Sequence, residues 1–221
     1  MFDQEAFNKF IIENKVIGFY EEPIKLKSGR LSSWYVNWRK IAEDVYLLDK
    51  LSDFVLDFVK DKEIPVDTFY GVPEGATKLG IITQYKYAKS QANFGKGSYT
   101  LAMGRGKPKD HGMARDRYFL GFPRGKVVII EDVITTGSSL LENVKKLQEA
   151  GTDISAIIVL TDRDEKRDDG KHVSQLLLDM GIPYYPMSNA RYLLPLLDMS
   201  ERIKERIRDE FDRFGITRID I

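Results

Sequence analysis

The sequence predicts an α/β fold: a mostly parallel central sheet flanked by helices, with a small hood built from the N-terminal segment, alone or joined by the C-terminal one. Three observations carry this. Strand-like runs alternate with stretches of helical period from residue 46 to residue 186, and that alternation generates parallel sheets covered on both faces. The run Val127-Val128-Ile129-Ile130 is apolar at every position, as a strand buried on both faces should be. Gly151 and Gly181 stand where two helices would need a left-handed cap.

Each element has its own signal. Residues 3–14 place Phe7, Phe10 and Ile11 on one helical face, and 46–60 repeat Leu47, Leu48, Leu51, Phe54, Val55 and Phe58 at helical spacing. Between them, 17–43 mix short extended pieces with Pro23, Gly29 and several aromatics. Strand-like runs follow at Thr68–Val72, Ser98–Met103, Lys126–Glu131, Ile154–Thr161 and Pro183–Pro186, with helical runs near 76–88, 139–150 and 171–180. Residues 190–215 read as one or two helices, apolar through Leu193-Leu194 and Leu196-Leu197 and charged from Glu201 on. The expected organisation is a hood segment 1–45, a core 46–189 containing a mobile loop 104–117, and a C-terminal helical extension 190–221.

Composition narrows the function. The chain has 221 residues, 43% of them hydrophobic, with 34 basic against 34 acidic side chains. No global field would draw it to nucleic acid or to an anionic membrane, so an anion site has to be local. Absence of cysteine excludes disulfides, thiolate metal sites and cysteine nucleophiles. Asp3, Gln4 and Glu5 are no secretory leader, and no apolar run approaches a membrane span. A soluble cytoplasmic protein is the expectation.

The chemistry concentrates after the apolar run. Val127–Ile130 leads into Glu131-Asp132, then Val133-Ile134, then Thr135-Thr136-Gly137-Ser138-Ser139, then Leu140, Leu141, Val144 and Leu147 at helical spacing. Strand, short hydroxyl-rich turn and helix start make a phosphate-sized cradle: backbone N–H groups converge on an anion at a helix N-terminus. The adjacent carboxylates can accept hydrogen bonds from sugar hydroxyls. Gly71, Glu131 and Asp162 close successive predicted strands, so one crevice should collect all three. Residues 104–117 hold Arg105, Lys107, Lys109, His111 and three glycines by 112 without apolar periodicity, the composition of an exposed lid.

The 127–139 stretch resembles the phosphoribosyl-pyrophosphate signature of the type I phosphoribosyltransferases. Three further segments resemble the orotate phosphoribosyltransferases among them: Leu26-Lys27-Ser28-Gly29-Arg30 running on to Asn37, Arg105-Gly106-Lys107-Pro108-Lys109-Asp110-His111-Gly112, and Thr161-Asp162-Arg163-Asp164-Glu165. Gly71–Ala76 aligns with the family's pyrophosphate loop. The chain departs at Gly75, where some bacterial members carry lysine and others do not, and at Gly106, where the family often has lysine and this chain has Lys107 one place later. The likeness covers about residues 25 to 165.

The resemblance implies transfer of the phosphoribosyl group from phosphoribosyl pyrophosphate to orotate, in pyrimidine nucleotide synthesis. It implies catalytic roles for Lys109, His111, Glu131 and Asp132. Phosphoribosyl pyrophosphate would meet Arg105, Lys107, Lys109, His111 and the stretch Glu131, Asp132, Val133, Ile134, Thr135, Thr136, Gly137, Ser138 and Ser139. Orotate would meet Lys27, Tyr35 and the fork of Arg163. Mg²⁺ would be held mainly by substrate phosphates, with no dedicated protein cage. The partner would be a second copy, in a homodimer sharing loop 104–117 across its interface. A purine phosphoribosyltransferase would use the same cradle but need neither Arg163 nor the Lys-Asp-His-Gly loop. A regulator that only binds phosphoribosyl pyrophosphate is the third reading.

Overall fold

The computed structural model describes residues 1–221. Helix α1 (Gln4–Glu13) is capped by Asp3 and buries Phe7 and Ile11. A hairpin of β1 (Ile17–Lys25) and β2 (Leu31–Val36) follows, its strands antiparallel. Short α2 (Arg39–Glu43) leads into α3 (Val45–Asp61), whose Asp44 cap accepts from Leu47 N–H. The core continues through β3 (Thr68–Gly71) and α4 (Thr77–Ser90). Then come β4 (Met103–Gly104), α5 (Ala114–Tyr118) and β5 (Phe119–Leu120). Strand β6 (Lys126–Ile134), α6 (Ser138–Glu149), β7 (Asp153–Asp162), α7 (Val173–Asp179) and β8 (Tyr184–Pro186) complete it. The chain ends with α8 (Ala190–Leu193), a 3₁₀ turn at Leu194–Leu196 and α9 (Glu201–Phe214).

The main sheet is parallel, in the order β3-β6-β7-β8. Strand β6 shows why it is covered twice. Val128 and Ile130 join one apolar cluster with Phe7, Trp34, Leu51, Ile207 and Phe211. Val127 and Ile129 face a second cluster with Leu140, Val144 and Leu177. Period-2 alternation splits one apolar run between two helical layers. The first cluster also joins the N-terminal segment, the core and the C-terminal helix through continuous packing. Helix α9, from the C-terminal segment, lies against β2 and β1 of the N-terminal hairpin.

One predicted strand is not in the sheet. Of Ser98–Met103, only Met103 enters a strand, and β4 pairs with β5 in a two-residue ribbon. Gln84 explains this. Its side chain accepts from Phe69 N–H at 2.8 Å and donates to the Asp67 and Thr100 carbonyls at 3.2 and 3.0 Å. The free edge of β3 is thereby satisfied by a side chain, and a further strand has no ladder to join. Residues 104–117 therefore lie between two ribbon strands and not between two core strands. Their last turn is helical, as α5.

Candidate functional site

Parallel strands deliver their carboxyl ends to one side of the sheet, and the cleft opens there. It has a volume of about 550 Å³ and is walled by Glu131, the run Val133–Leu140, Lys27, Ser28 and Arg167–Asp169. The cradle forms because Gly137 takes a left-handed conformation, φ 73°, as the cap of α6. A Cβ there would stand 2.4 Å from Val173 Cγ2, so conformation and space both demand glycine. Thr136 and Ser138 pair their hydroxyls at 3.2 Å, and the Thr136 carbonyl accepts from Arg167 Nη1 at 2.6 Å.

Glu131 is not at the end of its strand as expected. Strand β6 runs three residues further, and Glu131 is only 5% exposed. Burial first, then the neighbouring Asp132 charge, raise its carboxyl well above the usual carboxylate range. Asp132 is half-buried and accepts from Val133 N–H at 2.9 Å. Behind it sits Gly75, where a Cβ would come within 2.1 Å of Asp132 Oδ2. The lysine that this position lacks would displace the carboxylate. Gly106 differs: its nearest neighbour is the flexible end of Glu74, at 3.2 Å from a built Cβ. Lys78 donates to the Ala42 carbonyl, away from the cleft.

Beside the cradle a smaller cavity of about 160 Å³ is lined by Lys27, Tyr35, Arg39, Asp132, Val133, Thr135 and Arg163, among others. Lys27 borders both spaces. Arg163, the arginine expected to meet orotate, lines this cavity. The residue is 2% exposed, and its Nε donates to Glu165 at 2.6 Å. Nη2 donates to Ser32 Oγ at 3.0 Å and Nη1 to the Trp34 carbonyl at 3.4 Å, with the guanidinium 3.6 Å from the Trp34 ring centroid. Trapping one charge between a hairpin and a strand end requires such partners, because a buried unpaired guanidinium is prohibitively costly. One N–H remains on each terminal nitrogen. Arg163 is thus a clamped wall of the small cavity, not a swinging fork.

Asp162, expected in the crevice, turns inward. It accepts from Tyr184 OH at 2.6 Å and lies 3.2 Å from His172 Nε2. Burial lowers the His172 pKa, but the Asp162 hydrogen bond and charge, with Asp164, outweigh it, and the net shift is upward. Arg30 also leaves the cleft, donating to Glu165 at 2.8 Å and to the Lys166 carbonyl at 2.8 Å. Arg105, Lys107, Lys109 and His111 do not line either space. Arg105 Nε donates to the Asp116 and Phe119 carbonyls, both at 3.2 Å, which ties the ribbon to α5.

Sequence reasoning missed four cleft residues. Arg167, Asp168 and Asp169 lie beyond the last motif residue, in a charge run that carries no pattern. Arg39 lines the small cavity from the first turn of α2, and only folding brings it to Arg163. No group of three or more His, Cys, Asp or Glu side chains forms a metal cage, and no helix is long and apolar enough to cross a membrane.

No family model matches the chain. An orotate phosphoribosyltransferase of Methylococcus capsulatus is 29% identical over 216 residues, 96% of this chain and 97% of that protein. One from Polynucleobacter asymbioticus is 27% identical over 226 residues, 97% of each. A solved orotate phosphoribosyltransferase from Francisella tularensis superposes with a TM-score of 0.69 at 21% identity, covering 95% of this chain and 99% of that one. The parallel sheet, the cradle and these end-to-end likenesses agree: the chain is similar over nearly its whole length to orotate phosphoribosyltransferases and shares their fold.

Proposed function

We propose that this protein transfers the 5-phosphoribosyl group from phosphoribosyl pyrophosphate to orotate, yielding orotidine 5′-monophosphate and pyrophosphate. The observation that carries this is the pairing of a phosphate cradle with a small cationic cavity through the shared wall residue Lys27. The cradle of Thr135–Ser139 takes the 5′-phosphate on backbone N–H groups. Glu131 and Asp132 accept from the ribose hydroxyls and fix the sugar. Lys27, Arg39 and the two remaining N–H groups of Arg163 face the carboxylate and ring oxygens of orotate, with Tyr35 beside them. A guanidinium already clamped loses little entropy on binding.

Bond breaking at the anomeric carbon leads bond making, with oxocarbenium character as in glycosyl transfer. Mg²⁺ would be held mainly by substrate phosphates, with Asp132 of the small cavity an oxygen donor that suits it, and would supply charge neutralisation to the leaving pyrophosphate. Lys109, Lys107, Arg105 and His111 add positive charge and donors once loop 104–117 closes. That none of them lines the cleft of its own subunit favours a homodimer in which each loop serves the neighbouring subunit. Pyrophosphate release measured against a panel of bases tests the substrate. Release only with orotate is expected; release only with adenine, guanine or hypoxanthine overturns the proposal.

A further inference from the structure

The C-terminal helix carries a residue that reaches the orotate cavity from behind. Glu210 sits on α9, its side chain 15% exposed. One carboxylate oxygen accepts from Ser33 N–H at 2.6 Å, the other from Ser32 Oγ at 2.8 Å. Ser32 Oγ is also the acceptor of Arg163 Nη2, and the Glu210 carboxylate lies 3.9 Å from that nitrogen. The hairpin strand, the strand-end arginine and the C-terminal helix thus meet at one hydroxyl. Burial raises the Glu210 pKa, opposed by the hydrogen bonds from Ser33 and Ser32 and by the Arg163 charge.

A second set of contacts fixes the end of the same helix. Lys166 N–H donates to the Phe214 carbonyl at 2.7 Å, and Ile216 N–H to the Asp164 carbonyl at 2.9 Å. Glu165 and Gly215 form an antiparallel bridge. The guanidinium of Arg30 lies over the Phe214 ring at 4.6 Å. Glu165, held in that bridge, is the partner of both Arg163 and Arg30. Helix α9 therefore grips the Arg163 guanidinium twice, through Glu210–Ser32 on one edge and through the backbone of Glu165 on the other.

We infer that Glu210 is a positioning residue for orotate: it holds Ser32 and Ser33 so that Arg163 and Tyr35 keep their places at the cavity wall. This rests on the proposed substrate. A buried group stitched by charge-assisted bonds holds geometry better than packing alone, and a small misplacement of a binding guanidinium lowers affinity steeply.

The test is steady-state kinetics on the full chain with each substrate varied. Glu210→Ala should raise the orotate KM tenfold or more, leave the phosphoribosyl-pyrophosphate KM within twofold, and lower kcat less than it raises the orotate KM. Glu210→Gln keeps an acceptor for Ser33 N–H and should return the orotate KM to within about threefold of wild type. Ser32→Ala should produce the same split, and combining it with Glu210→Ala should add little, as expected for links of one chain. Asp209→Ala, exposed on the neighbouring position, serves as the control. Equal changes in both KM values, or a lower active fraction with both KM values normal, would make Glu210 a purely structural residue and overturn the inference. Should Glu210→Ala not fold, Glu210→Gln and Ser32→Ala decide by the same split. A wild-type protein with no orotate-dependent release overturns the substrate and the inference with it, whereas a normal wild type with an unsplit Ser32→Ala overturns only the inference.

Discussion

At Glu131 two demands conflict within a single side chain. In the proposed role its carboxylate faces ribose, yet the fold buries it beside Asp132, and burial followed by that charge lifts its pKa well above the ordinary range. A carboxyl raised in the folded state contributes stability that is full below the ordinary carboxylate range and is lost as pH rises through the folded value. Glu131→Gln should therefore melt higher than wild type at neutral pH, by about 2–4 °C for each kcal/mol recovered, with the gain vanishing in acid and turnover crippled throughout. A variant melting no higher at pH 7 would show that Glu131 carries no such cost. Gly75 makes the converse case. Because its Cβ would reach within 2.1 Å of the Asp132 carboxylate, Gly75→Lys should lower turnover as Asp132→Asn does, and an active Gly75→Lys would mean that Asp132 can move freely. Arg163 joins stability to specificity. Arg163→Ala would remove the buried cation beside Glu210 and leave Glu165 with Arg30 alone, so the cleaner probe is Arg163→Lys. It keeps the charge but not the three directed bonds, and should raise the orotate KM about tenfold to a hundredfold, the equivalent of a charge-assisted pair worth about 1.5–3 kcal/mol. An unchanged orotate KM would place the carboxylate elsewhere, with Arg39 the next candidate.

The strand–turn–helix of β6 and α6 shows what a local element can specify. Gly137 is pinned by its dihedral and by Val173, while Thr136 contributes a carbonyl to Arg167 and a hydroxyl to the cradle. Gly137→Val should abolish measurable phosphoribosyl-pyrophosphate binding and lower stability, since a β-branched residue at positive φ costs about 1–3 kcal/mol before any clash. Thr136→Val should bind with a modest loss. Calorimetric titration of both variants checks this, and equal losses would argue against a backbone cradle. This element was legible in the sequence because its signal is contiguous: apolar run, acids, hydroxyl loop and helical period lie in one stretch. Arg39 and Glu210 were not, because each acquires meaning only from partners far along the chain. The Ser98–Met103 run failed for a different reason. Its β-forming residues describe a surface fit for a sheet, but β propensity depends on a neighbour, and Gln84 had already filled the edge of β3. Arg163 was found by its motif, but its burial could not be read there, since burial arises only when the hairpin packs over the strand end.

In the molecule as a whole, charge is balanced, 34 basic against 34 acidic groups, and the cations proposed to meet the leaving pyrophosphate are held on loop 104–117, which lines neither cavity. Exposed Lys107, Lys109 and His111 do no structural work that the fold would miss, so their removal should leave stability untouched and affect only chemistry. If the loop closes over a bound substrate, hydrogen exchange across 104–117 should slow on adding phosphoribosyl pyrophosphate and Mg²⁺, and unchanged exchange would remove the lid. Which cleft it covers is decided by complementation. A Lys109→Ala subunit has an intact Glu131–Asp132 pair but a defective loop; an Asp132→Asn subunit has the reverse. If loops act across a twofold interface, a mixed dimer rebuilds one intact site from the two good halves and one doubly defective site. Random mixing makes half the dimers mixed, so activity should return to about a quarter of wild type, from parents that are each nearly inactive. If each loop serves its own subunit, every site in the mixed dimer carries one lesion and nothing returns. Co-expression with two affinity tags, purification of the doubly tagged dimer and a pyrophosphate-release assay distinguish the outcomes. No recovery in that purified species would place the loop over its own cleft and require it to swing there from the β4–β5 ribbon.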